Sequence, residues 1–348
     1  MKYRIPLLLI LGYLSLASAN LQAAKTDIVY LHNGDRITGE VKGVYSGQLE
    51  FKTDDLGVIM ISWSAIRDLI SDKEHQIQLT DGEHLTGKLS KPPSSTENAE
   101  NLILIKTATG TEQLESNSIV GMYPLGASFW DRVDFDLGLG FNYDKASSVG
   151  KYTLGASAMY RAEGYLNLGK LSSEFTTQND IDNTSRNILA LLHMADLPEK
   201  RYYSYFGNLE QNDQLGIDLR TVLGVGYGWV PISTSAHWLT MGGGIQANLE
   251  RPFDDAEPDE NLEAVGTIRY QYYKHSVPKR NIDAYFQIMP SLTQSNRVRA
   301  DFTLDFKWEV VRSFYVGMEF YTSFDSKPAS EEASKVDYGI ISSVGYSY

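Results

Sequence analysis

Hydrophobic and polar residues alternate along the second half of the chain, in successive runs separated by polar or Gly/Pro turns. In the first run, Val133 and Phe135 share one face. Asp134 and Asp136 share the other. Neighbouring residues of a strand point to opposite faces, so each run predicts a strand with one apolar and one polar face. We therefore predict an all-β fold, with a 12-stranded antiparallel transmembrane β-barrel over residues 130–348.

The twelve predicted strands have similar lengths. They lie near residues 132–144, 151–162, 164–177, 185–195, 200–211, 217–230, 237–250, 261–273, 280–290, 297–308, 312–324 and 336–348. The third to fifth strands carry apolar residues on both faces, so their orientation stays ambiguous. An even strand count places both ends of the barrel on one side, together with the short turns. The longer connections, two of them acidic (251–261 and 325–335), then lie on the other side.

The last strand ends on an aromatic residue and carries apolar residues at alternate positions. These are Tyr338, Ile340, Val344, Tyr346 and the terminal Tyr348. The pattern resembles the C-terminal sorting signal of outer-membrane barrels, although a soluble edge strand can show it by chance. It predicts the outer-membrane assembly machinery and outer-membrane lipid as partners.

The N-terminus has the order of a secretory signal: Lys2 and Arg4, an apolar stretch over 5–16, and small residues ending at Ala19. We predict a signal peptide over residues 1–19 and export to the envelope of a Gram-negative cell. The alternative is an N-terminal membrane anchor, but about a dozen apolar residues are too few to cross ~30 Å of hydrocarbon as a helix.

An internal repeat precedes the barrel. Residues 31–41 match residues 79–89 at an offset of 48 positions, and each copy has a turn pair, Asn33-Gly34 or Asp81-Gly82, between β-rich runs. Such pairs supply the left-handed backbone of a tight turn. We predict a periplasmic β-module of two repeats over 27–124, with a Pro- and Ser-rich loop over 90–100. The pattern resembles small SH3-like or Sm-like barrels.

Charge argues against nucleic acid as a partner. Sm-like proteins bind RNA, but residues 27–124 hold 8 Lys+Arg against 15 Asp+Glu, a net charge of −7 within a chain of net charge −13. Binding to phosphates needs the opposite sign. We therefore expect a structural or protein-contact module with a possible periplasmic protein partner, and we expect Trp63 in its core.

Catalytic, metal and cofactor chemistry has little support in the sequence. The chain has no Cys and only six scattered His, so we predict no metal site, no cofactor and no catalytic residue. A Ser-His-Asn hydrolase of the membrane would need a Ser near a His on the lipid-facing rim, and His193 has none beside it in sequence. A membrane-embedded hydrolase remains a remote alternative to a non-enzymatic protein.

Charged residues on the polar face of the strands are candidates to line the lumen. The principal ones are Asp134, Asp136, Arg220, Glu250, Arg269, Asp283, Arg299, Asp301 and Asp305. From the hairpin geometry we predict two ion pairs, Arg220 with Glu250 and Arg269 with Asp283. The first function hypothesis is a non-enzymatic barrel with an envelope or stress role. The alternative is a narrow channel or small-solute porin that weakly prefers cations.

Two glycine-rich stretches carry a family resemblance. Residues 215–220, followed by Gly224, Gly226 and Gly228, and then residues 242–250, are similar to the uncharacterised barrel family known as domain of unknown function 481. The resemblance covers about 130–348 and implies a salt-induced outer-membrane barrel. It implies no known reaction.

Overall fold

A computed structural model describes most of the chain beyond the N-terminus. The described residues are 26–90, 102–126, 129, 132–145, 148–178, 181–213, 216–253, 258–311, 313–327 and 334–346. The predicted signal peptide, most of the predicted 90–100 loop and the terminal Tyr348 lie outside these ranges.

The N-terminal module is a nine-stranded antiparallel sheet that folds on itself. Its strands are β1 (Asp27–Leu31), β2 (Arg36–Tyr45), β3 (Gln48–Lys52), β4 (Val58–Ser62), β5 (Ile66–Leu79), β6 (His84–Ser90), β7 (Leu102–Lys106), β8 (Thr111–Glu115) and β9 (Ile119–Pro124). The strand order is β4-β3-β2-β1-β5-β6-β7-β8, and β9 pairs with both β2 and β5. The long strand β5 therefore ends the first repeat and begins the second.

The two repeats fold alike at their turns. Gly34 and Gly82 have φ values of 94° and 91°. Each donates its backbone N–H to the carbonyl three residues earlier, on Leu31 or Leu79, at 3.0 Å. The predicted repeat is thus confirmed at the level of individual hydrogen bonds, and glycine is required at the left-handed position.

A continuous apolar core fills the module. Leu49, Phe51, Ile77 and Ile105 are fully buried. Trp63 is also buried, and its indole N–H donates to the Ser116 carbonyl at 2.7 Å, which joins the first repeat to the second. The prediction that Trp63 belongs to the core is confirmed.

The second half of the chain forms the predicted 12-stranded antiparallel barrel sheet. Its strands are β10 (Val133–Asp144), β11 (Val149–Ala162), β12 (Tyr165–Gln178), β13 (Ile181–Leu197), β14 (Arg201–Asn212), β15 (Ile217–Ser233), β16 (His237–Pro252), β17 (Asp259–Lys274), β18 (Arg280–Pro290), β19 (Val298–Val311), β20 (Phe314–Asp325) and β21 (Val336–Tyr346). They pair strictly in chain order from β10 to β21. Every predicted strand is present.

The two faces of the sheet differ as the alternation requires. Large exposed apolar side chains occupy one parity of β13 to β15, for example Leu191, Tyr205 and Leu223. The opposite parity of β14, including Ser204 and Asn208, lines an internal cavity. This resolves the ambiguous faces of the third to fifth barrel strands: odd-numbered residues of β12 to β14 point outward.

The first and last barrel strands differ from the expectation of a fully closed ring. Among the described residues, no backbone pairing joins β10 to β21. Residues of both parities on these two strands are largely exposed. The alternating pattern predicts faces but holds no information on whether two edge strands meet, because an edge and a paired strand have the same period.

Inward glycines are covered by aromatic rings of the adjacent strand. The rings of Tyr202 and Phe206 lie directly opposite Gly228 and Gly224 in the β14–β15 register, and a Cβ at either glycine would overlap the facing ring. Tyr321 covers Gly339 in the same way across β20 and β21. These glycines therefore allow the aromatic rings to pack closely against the lumen wall.

We expect Gly228→Ala to destabilise the barrel by about 1–3 kcal/mol, because the added methyl displaces the Tyr202 ring. Gly155→Ala is the matched control, since nothing lies within 4 Å of a Cβ at that inward position of β11. Urea unfolding of both variants in detergent micelles measures the difference. Equal midpoints for the two variants would contradict the packing role.

Candidate functional site at the turn end of the barrel

The N-terminal module sits on the end of the barrel where the short turns lie, hereafter the turn end. Ring nitrogen Nε2 of His275 donates to the carbonyl of Ser46 at 2.6 Å. The Ser233 hydroxyl donates to the carbonyl of Thr80 at 3.2 Å. A Cβ at Gly47 would overlap the carbonyl oxygen of Ser235, so backbone meets backbone there. The hairpin between β2 and β3 thus rests on the β15–β16 and β17–β18 turns.

The second repeat contacts the neighbouring turns. The Thr86 hydroxyl donates to Glu163 at 3.3 Å, and His84 Nδ1 lies 3.9 Å from the carboxylate of Asp196. Gly82 packs against Lys200 so closely that a Cβ would lie 2.5 Å from the lysine Cγ. Both repeats therefore contact the barrel rim. The first does so through the turn at Ser46 and Gly47, and the second through the turn at Thr80 and Gly82 and through Thr86.

Arg161 and Tyr123 form the most central contact between module and barrel. Arg161 projects inward from the end of β11, and its guanidinium carbon lies 3.8 Å from the centre of the Tyr123 ring on β9. Such stacking is a cation–π interaction. Its Nε is buried and has no hydrogen-bond partner among the described residues. No carboxylate of the described chain lies within 4.0 Å of this guanidinium.

A cavity of about 690 Å³ lies beneath the module, inside the barrel. The module contributes Gln78, His84 and Tyr123 to its wall, while the barrel contributes residues from β11 and from β13 to β18. We call this space the inner chamber. Its volume falls within the range of about 300–1,000 Å³ typical of small-molecule sites.

Cations outnumber acids in the wall of the inner chamber. The basic residues are Arg161, Lys200, Arg201 and Arg269, whereas Asp196 is the acidic one in the wall. Arg201 and Arg269 have carboxylate partners at 2.7 and 2.6 Å. Arg161 and Lys200 have no carboxylate within 4.0 Å among the described residues, although Asp196 in the same wall attracts Arg161 electrostatically. The wall itself therefore holds more basic than acidic residues in a chain of net charge −13.

Both predicted ion pairs are confirmed. Arg220 donates through Nε and Nη2 to Glu250 at 2.9 and 2.7 Å. The two residues face each other directly in the β15–β16 register rather than diagonally, because an irregularity between Trp229 and Ile232 shifts the pairing. Arg220 also reaches Glu210 at 3.1 Å, a partner that the hairpin argument missed.

Arg269 and Asp283 pair diagonally. Arg269 donates to both carboxylate oxygens of Asp283, at 3.0 and 2.6 Å, and Gln271 donates to the same carboxylate at 2.8 Å. The bidentate geometry fixes the guanidinium plane at the wall of the inner chamber.

A second polar network lies on β16 to β19, toward the other end of the barrel, where the longer loops lie. Glu263 on β17 is 0% exposed and accepts hydrogen bonds from Arg299 at 2.9 and 2.6 Å. Gln246 and Asn261 donate to it at 2.7 and 2.9 Å. Four hydrogen bonds compensate this buried carboxylate. The sequence marked Arg299 as a lumen residue but gave no sign that Glu263 is the centre of a network.

The other predicted lumen residues lie apart from the inner chamber. Asp136 accepts from Ser157 at 3.3 Å and Asp301 from Ser323 at 2.7 Å. Asp305 faces Asp283 on one side and Glu319 on the other in the strand register. Asp134 lies on β10, the strand next to β11, opposite Met159 and two positions from Arg161. Asp305 and Glu319 on β19 and β20 have no cation within 4.0 Å among the described residues, whereas Asp283 on β18 is paired with Arg269.

The outer face of the barrel carries the histidine on which the hydrolase alternative depends. His193 Nδ1 lies 2.8 Å from the Asn167 side chain, so the structure supplies a His–Asn pair that the sequence did not reveal. Its ring contacts are with Tyr165, Tyr203 and Tyr205. The hydrogen bonds of His193 in the described chain include no serine. The described residues include no group of three or more His, Asp or Glu placed to hold a metal, and no helix long and apolar enough to cross a membrane.

The family model described as "Protein of unknown function, DUF481" matches residues 137–348. This is more than half of the chain. The chain belongs to the DUF481 family. No curated protein and no solved structure matches it.

The DUF481 match covers the barrel and leaves out the N-terminal module. It begins within β10 and covers the remaining barrel strands. The module, with Tyr123 and His84, lies outside the matched residues. The SH3-like resemblance of the module finds no support in the comparisons and stays a prediction. In this DUF481 chain the inner chamber is therefore built from a family region and an added domain.

Proposed function

We propose that the protein is a non-enzymatic outer-membrane barrel whose N-terminal module lies in the periplasm and covers the turn-end mouth. The observation that carries the proposal is a pair of aromatic belts on the outward face of the barrel. Transmembrane barrels place aromatic residues at both lipid–water interfaces and an apolar band between them.

One belt follows the turn end, and the second follows the loop end. The first comprises Tyr160, Tyr165, Tyr203, Tyr205, Tyr227, Trp229, Tyr270 and Tyr272; the second comprises Phe141, Tyr143, Tyr152, Phe175 and Phe324. In the second belt the rings of Phe141, Tyr152 and Phe175 contact one another at 4.9 and 6.4 Å across three strands. Leu139, Leu191, Leu223 and Ile245 are exposed between the belts.

The separation of the belts fits a bilayer. Tyr165 and Phe175 are ten positions apart on β12. At ~3.4 Å per residue and a tilt of ~40°, they are about 25 Å apart along the barrel axis. This equals the usual height of the apolar band of outer-membrane barrels.

The position of the module supports the assignment of sides. It sits at the turn end, and turns of outer-membrane barrels face the periplasm. This agrees with the predicted signal peptide and the predicted sorting signal. Tyr338, Ile340, Val344 and Tyr346 of that signal are exposed on the outward face of β21, available to lipid and to the assembly machinery. We infer an envelope role, which the family resemblance links to salt stress, with a periplasmic protein as a possible partner of the module.

The covered mouth favours a barrel that does not conduct in its resting state over an open porin. Module residues contact the turns at the turn end, and the Glu263–Arg299 network lines the lumen along β16 to β19 nearer the loop end. A narrow channel is the second candidate. The inner chamber favours it, since displacement of the module would open that space to the periplasm.

Gly47→Val tests the cover, because the new side chain would collide with the Ser235 backbone and push the module off the rim. In planar bilayers we expect the wild-type protein to be silent and Gly47→Val to give discrete current steps. Gly57→Val is the matched control: its φ of 67° is close to the 71° of Gly47, but nothing lies within 4 Å of its Cβ. Steady current from the wild type would support the channel instead.

Location is tested separately. After expression in a Gram-negative host, the protein should fractionate with outer membranes, and its module should resist external protease in intact cells and be cleaved after the outer membrane is permeabilised. Recovery in the soluble fraction would overturn the proposal. An envelope role predicts that loss of the protein sensitises cells to high salt.

A further inference from the structure

The inner chamber combines features that are otherwise separate in this lumen: enclosure, aromatic faces, amides and unpaired cations. Tyr123, Tyr202 and Tyr285 present rings, and Gln271 and Gln287 present amides. Amides supply both donors and acceptors for hydroxyl groups. Few lumen-wall sites offer these groups together with a cation that lacks a partner.

Arg161 is the decisive side chain. Its guanidinium is held flat against Tyr123 at 3.8 Å, so the plane is fixed before any ligand arrives. Stacking occupies a face of the plane and leaves the N–H edges available. A guanidinium edge matches a carboxylate or phosphate with two parallel hydrogen bonds. A preorganised cation that has no carboxylate within 4.0 Å among the described residues is suited to an anionic ligand.

Lys200 adds a second positive charge at the rim of the same space. Its stem packs on Gly82, which holds the residue at the junction of module and barrel. The acids Asp305 and Glu319 lie on other strands, β19 and β20, which contribute no residue to the chamber wall. These two acids therefore form no part of the chamber wall.

We propose that the inner chamber binds a small hydroxylated anion, such as a sugar acid or a sugar phosphate, with its acidic group on Arg161. The cavity of about 690 Å³ accommodates one or two sugar rings. The tyrosine rings would lie against the sugar faces and the glutamine amides would receive the hydroxyls. The inference rests on the covered mouth of the proposed function, because both domains build the wall.

Isothermal titration of the full-length protein in detergent micelles tests the site, with glucuronate, glucose 6-phosphate and neutral glucose as probes. At least one anionic probe should bind about tenfold more tightly than glucose, since charge-assisted hydrogen bonds are the stronger kind. Comparison of the two anions shows whether carboxylate or phosphate is preferred. Failure of both anions to bind better than glucose would overturn the proposal.

Variants assign the site to Arg161. Arg161→Gln should weaken binding of the anion about tenfold and leave the weak binding of glucose unchanged. Arg186→Gln is the matched control, because Arg186 lies near the other end of β13 and pairs with Glu210. Lys200→Gln keeps the Arg161–Tyr123 stack and should give a smaller loss. Equal affinities in Arg161→Gln and Arg186→Gln would contradict the assignment.

A negative result in the titration would contradict the chamber proposal and would not bear on the proposed function. Binding in micelles requires neither a membrane location nor a silent barrel, whereas fractionation and conductance require no ligand. A silent, outer-membrane protein that binds no anion overturns the chamber proposal alone. Thermal melting of each variant shows whether it remains folded, and Lys200→Gln provides the test if Arg161→Gln does not.

Discussion

Glu263→Gln is expected to lower the free energy of unfolding of the barrel by about 3–5 kcal/mol, the largest effect of any single substitution on the lumen wall. The substitution removes the charge that compensates Arg299 in a site where Glu263 is 0% exposed. Breaking a buried ion pair costs more than the pair contributes, because the remaining charge stays desolvated. The new amide also presents donors to Gln246 and Asn261, which themselves donate.

Glu250→Gln is the matched control for Glu263→Gln. Glu250 is also paired with an arginine on the lumen wall, but its side chain is 28% exposed and Arg220 keeps Glu210 as a second partner. We expect a loss of at most about 1 kcal/mol. Urea unfolding of both variants in micelles gives the comparison. If the two substitutions cost the same, burial is not what makes the Glu263 network important.

The strands and their faces were predictable because each depends on a local period. The alternation that placed Val133 and Asp134 on opposite faces needs no knowledge of neighbours. The ion pair of Arg220 and Glu250 followed because a hairpin relates its two strands by a single turn. The bulge between Trp229 and Ile232 reverses which parity faces outward near the turn, but it lies on the turn side of this pair, so both residues still face the lumen.

The candidate site was not predictable because its residues have no periodic relation. Tyr123 ends the module and Arg161 ends a barrel strand, and only docking brings them within 3.8 Å. The sequence argument also treated the lumen charges of the whole barrel as one set and predicted a weak cation preference. In the structure the basic wall residues of the inner chamber lie apart from the neighbouring acids Asp305 and Glu319. The His193–Asn167 pair was missed since it joins residues of two strands.

The module is expected to lose stability as the pH falls from about 6.5 to about 4, by about 3 kcal/mol. The cause is His75 on β5, which is 0% exposed. Burial lowers the pKa of His75 from 6.5 to about 4, against the opposing attraction of Asp27 and with a small contribution from Lys73. Its Nδ1–H donates to the Lys73 carbonyl at 2.9 Å, and its buried Nε2 has no partner in the described chain.

The sign follows from proton counting. Between these two pH values the unfolded module holds a proton on His75 and the folded module does not, so stability increases with pH across this window and is fully present above it. Lowering the pKa of His75 from 6.5 to about 4 corresponds to a free-energy difference of about 3 kcal/mol. Hydrogen exchange of β5 and β6, followed by mass spectrometry, should show faster opening at pH 5 than at pH 7.5 after correction for intrinsic exchange rates.

Paired variants separate His75 from the other titrating groups of the module. His75→Leu should remove most of the pH dependence, because a neutral apolar side chain has no proton to gain on unfolding. His32→Leu should keep it, since His32 is exposed at the first turn. A pH dependence that persists in His75→Leu would show that His75 is not its cause.

Because the module holds the barrel rim through its hairpins, the same opening at low pH would loosen the cover of the inner chamber. Conductance of the wild type at pH 5 should then approach that of Gly47→Val.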